Sequence, residues 1–180
     1  FSLEKVNKSG AVFDNQKLDW LNGEYIRQKS AAEFAELCQP YLAAAGITAD
    51  KKFIAKAVVT EQNRIKKISE IVGAIDFFFS QPQYDPELLI WKKLNVKETK
   101  QNLASLVKIL EKIVDKNWTE KFVEEEVKKF ITASGQGIGD YLWPLRVALT
   151  GKKASPGPFE VAAVLGKNDS LSRINYAINI

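Results

Sequence analysis

Arg146 lies in Leu145-Arg146-Val147-Ala148-Leu149-Thr150-Gly151, a stretch that reads as the last two turns of a helix stopped by a glycine. Shortly beyond it, Ser155-Pro156-Gly157-Pro158-Phe159-Glu160 reads as a rigid proline-bracketed turn opening another helix. A guanidinium offers planar, bidentate hydrogen bonding that an ammonium cannot. A stiff turn fixes backbone polar groups in space, and an aromatic ring offers a stacking face. Together these parts suit the capture of an unpaired nucleic-acid base. The same residues also fit an ordinary helix–turn–helix with Arg146 solvated, and local physics alone leaves both readings open.

The rest of the chain sharpens interest in the arginines. Of 26 basic residues only Arg27, Arg64, Arg146 and Arg173 are arginine, so lysine supplies general solubility here. Arg64, with Lys66 and Lys67, makes a second small basic cluster. It can face a phosphate backbone or a base edge, or simply be a solvated helix end where cations complement the macrodipole.

Other chemistries are poorly served. There is no histidine, so the commonest general acid–base is missing. With one cysteine, Cys38, a zinc site of the usual N/S type and an intramolecular disulfide are both excluded. Cys38 falls in an apolar stripe and reads as core. Gly135-Gln136-Gly137-Ile138-Gly139 lacks the preceding strand and the following Gly-Lys-Ser/Thr of a phosphate loop, and reads as a tight passage between helices. No catalytic residue and no metal ligand is expected. No apolar run reaches the roughly 20 residues a membrane span needs. The net charge of +4 permits a polyanionic partner without demanding one. A reducing compartment, the cytoplasm, is expected from the cysteine usage. The chain has no methionine, even at its start, and is expected to be a piece of a longer protein.

The elements that must position these residues are helical. Asp14 caps a helix through Lys29, and Ser30 with Glu33 forms a capping box for a helix through Ala45 that Pro40 is expected to kink or split. Asp50 opens a third, whose helical period runs through two joined patterns to about Phe79, with Glu61 as one polar intruder on its inner side. Gln81-Pro82-Gln83-Tyr84-Asp85-Pro86 marks a boundary. Asn95 with Glu98, and Asn117 or Thr119, cap the next two helices; Pro144 is expected near the start of the helix carrying Arg146. No stretch alternates as a strand would. The fold class is all-α, with two consecutive helical-bundle subdomains at 30–82 and 83–180, preceded by residues 1–29, of which 1–13 read as a connector.

Two blocks carry a family resemblance. Residues 1–14 (FSLEKVNKSGAVFD), with Lys17-Leu18-Asp19-Trp20-Leu21-Asn22-Gly23-Glu24-Tyr25-Ile26-Arg27, resemble the segment after the catalytic core of bacterial glutamyl-tRNA synthetases. Pro144–Gly151, Ser155–Glu160 and Leu165-Gly166-Lys167 resemble the end of the same enzymes. The resemblance implies the anticodon-binding region of a class I aminoacyl-tRNA synthetase, with 1–29 as the end of its stem-contact region. By the same resemblance the ATP- and Mg²⁺-using catalytic domain lies outside this chain, which alone should be inactive and needs no cofactor. The implied partner is tRNA(Glu), bound through anticodon loop and stem, by a monomer. Arg64 falls where discriminating members place an arginine that reads the third anticodon base. Arg146, Ser155, Pro156, Gly157 and Phe159 match positions around the anticodon loop. Lys17, Trp20 and Arg27, with Lys66 and Lys67, are expected on the stem or backbone. Ser155 stands where the family often has threonine, and Pro158 where it often has leucine, which stiffens the loop. A helical protein-interaction domain is the alternative.

Overall fold

The computed structural model describes residues 14–180. The connector expected at 1–13, and with it the first part of the stem-side block, lies outside the described residues.

Among the described residues the chain forms nine α-helices and no strand. The first, α1 (Asn15–Arg27), is capped by the Asp14 carboxylate, which accepts from the Gln16 and Lys17 N–H groups at 2.9 and 3.2 Å. In α2 (Ala31–Ala44), Ser30 and Glu33 satisfy each other's backbone N–H as the sequence predicts. Phe34, Cys38 and Leu42 form its buried side. Pro40 does not split the helix, because it lies on the exposed side, where water can serve the carbonyl it deprives of a donor. Burial pushes the Cys38 thiol up to about 12, as suits a packing residue.

The third helix departs from its sequence pattern. Asp50 caps α3 (Lys51–Val59), but the helix ends there instead of running on to Phe79. Turns carry the chain to Lys67, followed by a 3₁₀ turn (Ile68–Glu70), the short α4 (Ile71–Ile75) and a second 3₁₀ turn (Asp76–Phe78). The cause is tertiary. Gln62 Nε2 donates to the carbonyls of Ile26 and Lys29, at 2.9 and 2.8 Å, drawing the segment onto the end of α1. Such long-range hydrogen bonds outweigh helix propensity, which amounts to about 0–0.7 kcal/mol per ordinary residue.

Beyond an irregular stretch at 81–85 and a 3₁₀ turn (Pro86–Leu89), α5 (Val96–Leu110) opens with the Asn95–Glu98 capping box, at 2.9 and 3.0 Å. Thr119 caps α6 (Glu120–Ser134), whose charged face carries Lys128–Glu124 and Lys121–Glu125 pairs at 2.6 and 3.9 Å. Gly135 ends α6 in the left-handed conformation. The helix carrying Arg146, α7 (Ile138–Thr150), begins earlier than its sequence suggests, so Pro144 is interior. The Asp140 carboxylate accepts from the Gly137 N–H at 3.1 Å and closes its first turn. After α8 (Pro158–Leu165), α9 (Lys167–Asn179) packs along α5 and α7.

Helices before residue 81 contact mainly one another, as do those after it, and the two groups meet where α3 packs on α8 and where Asp76–Phe78 meets α7. The buried apolar residues nonetheless form one continuous cluster from Ile26 to Ala177. Full burial of each large side chain in it, such as Phe34, Leu106 or Ile174, contributes about 1.5–3 kcal/mol. The seam is also tied by Arg173. Its Nη1 donates to the carbonyls of Phe77 and Leu149 at 2.6 and 2.7 Å, and its Nη2 to that of Ser80 at 3.2 Å.

Gly151 closes α7 at φ +68°, and a Cβ there would lie 2.9 Å from Pro82 Cβ and 3.2 Å from a Tyr84 ring carbon. Gly151→Ala therefore meets both a left-handed backbone and a wall. Urea denaturation is expected to show a loss on the order of 2–4 kcal/mol.

Candidate nucleic-acid interface

The end of α7 carries Arg146 to the corner between α7 and α8. Its Nη1 donates to the Ser155 carbonyl at 2.5 Å, to Ser155 Oγ at 3.1 Å and to the Pro156 carbonyl at 2.8 Å. Arg146 is thus not the free, solvated side chain of the plain helix–turn–helix reading. One of its nitrogens is a tie that fixes the corner. Among the described residues its Nε and Nη2 make no hydrogen bond to protein, and the side chain stays partly exposed. Burial lowers its pKa, and so does the nearby Arg64 charge.

Ser155, Pro156, Pro158 and Phe159 are buried, and Gly157 is half-exposed. Gly157 is the N-cap of α8 and Pro158 its first residue, which leaves few donors and a fixed entry angle. Phe159 corrects a sequence expectation. The residue is only 6% exposed and belongs to the buried core, so it does not offer the stacking face expected of it. A phenylalanine at N2 of a short apolar helix points into the core because α8 is wedged between α6, α7, α9 and α3.

Arg64 reaches this corner from the other half of the chain. It sits in the turn after α3, with its N–H bonded to the Glu61 carbonyl at 2.8 Å, and α3 packs on α8. Its Nε meets Glu61 Oε2 at 3.2 Å; the Arg64 side chain is 44% exposed and that of Glu61 only 7%. Burial raises the Glu61 pKa, opposed by the charges of Arg64 and then Lys152. Burial also raises that of Glu160, with Glu120 adding to the effect and the Gly157 N–H opposing it. Lys152, beside the corner, is held inward: Nζ bonds the Gly73 carbonyl and the Asp76 carboxylate, each at 2.5 Å. The fold therefore gathers Arg64, Arg146 and residues 155–160 on one side, with Arg64 the most exposed cation among them.

The expected stem-side residues lie on and beside α1. Lys17, Trp20 and Arg27, at i, i+3 and i+10, share one stripe of that helix. Trp20 is 57% exposed, and Arg27 pairs with Glu24. Lys66 is exposed; Lys67 pairs with Asp19 of α1 at 3.1 Å. Gln62 brings this basic turn against α1, with Lys67 paired to Asp19 of α1 and Arg64 close to Arg146.

Two site-shaping residues were not assigned from sequence. Glu61 gave a faint signal, as a carboxylate on an inner stripe just ahead of Arg64. Arg173 gave none beyond its rarity, because its partners are backbone carbonyls. The glycines of 135–139 are used as helix caps and as a seat for Trp91, whose Nε1 would lie 2.4 Å from a Cβ on Gly139. With Trp91 filling the space at Gly139, that stretch does not fit a nucleotide phosphate. Among the described residues no three carboxylate or thiol groups converge as metal ligands. None of the described helices is long and apolar enough to cross a membrane.

Comparison with known proteins decides the family. The model described as "Anticodon binding domain" matches residues 33–178. The chain belongs to the anticodon-binding domain family. It is 38% identical over its whole length to a glutamate–tRNA ligase of Clostridium botulinum and 38% identical to that of Herpetosiphon aurantiacus over 98% of its length, covering 37% of each relative. It also superposes on the crystal structure of a glutamate tRNA ligase from Elizabethkingia meningosepticum in complex with its amino acid, with TM-score 0.83 and 25% identity over 99% of this chain. The chain thus spans little more than a third of the length of these relatives.

Proposed function

We propose that this anticodon-binding domain reads the anticodon loop of tRNA(Glu) on behalf of a glutamate–tRNA ligase, whose full-length form attaches L-glutamate using ATP and Mg²⁺ bound outside these residues. The working form is a cytoplasmic monomer. The observation that carries the reading is the meeting of Arg64 and Arg146 at the α3–α8 junction, from opposite halves of the sequence. Two guanidinium groups that repel one another are held together beside a rigid corner, an arrangement that gains when a polyanion arrives. Arg64 offers free Nη donors for a base edge, and Arg146 contributes its remaining donors and a fixed wall. Trp20, Lys17, Arg27 and the Lys66–Lys67 turn extend the basic surface toward the stem. The scattered lysines supply the salt-dependent, sequence-blind share of affinity. The corner's Ser155, Pro156, Gly157 and Phe159 set its shape, with Gly157 the most open to a ligand.

Titration with anticodon stem–loops tests this. Arg64→Ala is expected to cost about 1–3 kcal/mol of discrimination at one anticodon position, with a smaller change in general affinity. An equal loss for every stem–loop would make Arg64 a phosphate contact. Identical binding of native and scrambled anticodons by the unaltered chain would instead favour the protein-interaction alternative.

A further inference from the structure

We infer that Glu61 is a positioning residue for base reading: its carboxylate holds Arg64 by Nε, so that both Nη groups are turned outward toward the RNA. The inference rests on the proposed anticodon reading and adds to it the group that aims the reader. The Glu61 side chain is 7% exposed, and the only ion-pair partner it has among the described residues is Arg64 Nε at 3.2 Å. A carboxylate in so dry a position costs free energy unless it is paired, so packing alone would favour an apolar residue there. The backbone reinforces the geometry. The N–H groups of Arg64 and Ile65 both donate to the Glu61 carbonyl, at 2.8 and 3.0 Å, making one closed turn of the anchor and the arginine.

Arg64 needs such an anchor. The Arg146 charge lies close enough to interact with it, and like charges drive a long flexible side chain apart. Glu160, on α8, also lies within electrostatic reach of both Glu61 and Arg64, but among the described residues only Glu61 forms an ion pair with the guanidinium. Pairing through Nε leaves the terminal Nη pair, which makes no hydrogen bond among the described residues, free to meet a base edge in bidentate fashion. Removing the anchor should therefore leave the arginine present but unaimed.

A double-mutant cycle in the 180-residue chain tests this, read as the affinity ratio between stem–loops with the glutamate anticodon and with one base exchanged. Glu61→Ala and Arg64→Ala should each lower that ratio about tenfold, and the double variant should do no worse than either. Glu61→Gln keeps an acceptor oxygen in place and should fall between Glu61→Ala and the unaltered chain. If Glu61→Ala fails to fold by circular dichroism, Glu61→Gln takes its place in the cycle, with the same non-additivity expected. An unchanged ratio in the Glu61 variant, while Arg64→Ala loses discrimination, overturns this inference alone. So do losses that add in the double variant, because a residue acting only through stability would not couple to Arg64. An Arg64→Ala chain that discriminates as well as the unaltered one removes Arg64 from base reading and overturns this inference, whereas an unaltered chain that does not discriminate overturns the anticodon reading itself.

Discussion

Arg173→Ala is expected to destabilise the chain by about 3 kcal/mol or more. The guanidinium is 5% exposed and donates to three carbonyls from three segments: Phe77, Ser80 and Leu149. Alanine removes the donors and leaves carbonyls in a dry seam, where each unsatisfied group costs about 1–3 kcal/mol. Burial lowers the pKa of the group, yet an arginine remains charged at any ordinary pH, so this contribution does not vary across the physiological range. Arg173→Lys is expected to recover less than half, since an ammonium cannot span three carbonyls with a planar fork. Urea denaturation checks both. A loss under about 1 kcal/mol would mean that water replaces the clamp without strain. Because the clamp ties Phe77 and Ser80 to Leu149 and α9, the destabilised variant should still unfold in one transition if the continuous core couples the helices on either side.

Arg146→Ala is expected to weaken binding of the matched stem–loop by about 2–3 kcal/mol, roughly 30–150-fold. Two things are lost together. The positive group beside Arg64 disappears, and the carbonyls of Ser155 and Pro156 lose the donor that pins the corner. Arg146→Lys keeps the charge but makes a single point contact, so it should recover the salt dependence of binding and little of the anticodon preference. Ser155→Ala removes only a hydroxyl, whose 3.1 Å bond is one of three made by Arg146 Nη1, and should change affinity less than fivefold or so. If Arg146→Ala binds normally while its thermal stability falls, the arginine serves the fold alone.

Residues differ in how openly the sequence announces them. The end of α7 at Gly151, the caps at Ser30, Asn95 and Thr119, and the burial of Cys38 all follow from local rules, because the partner of each cap lies within a few residues. The break after Val59 does not, since it depends on Gln62 finding carbonyls at Ile26 and Lys29, far back in the chain. The true start of α7 was hidden by Pro144, which local rules place near a helix N-terminus, whereas the Asp140 cap had already opened the helix. At the site, the importance of Arg64 and Arg146 was legible from arginine's scarcity and from the resemblance. That Arg146 ties the corner and that Phe159 faces inward are facts of packing around α7 and α8, which no local spacing encodes. The Glu61–Arg64 pair is local, three residues apart, but the burial of its carboxylate is not.

If Arg64 and Arg146 meet unpaired nucleotides, the four arginine side chains can report it individually. In a ¹⁵N-labelled sample their Nε–H signals give four peaks, one each for Arg27, Arg64, Arg146 and Arg173. Adding the matched anticodon stem–loop should move or broaden the Arg64 and Arg146 signals, leave buried Arg173 in place, and affect Arg64 less when one anticodon base is exchanged. Saturating stem–loop with unmoved Arg64 and Arg146 signals would contradict the account.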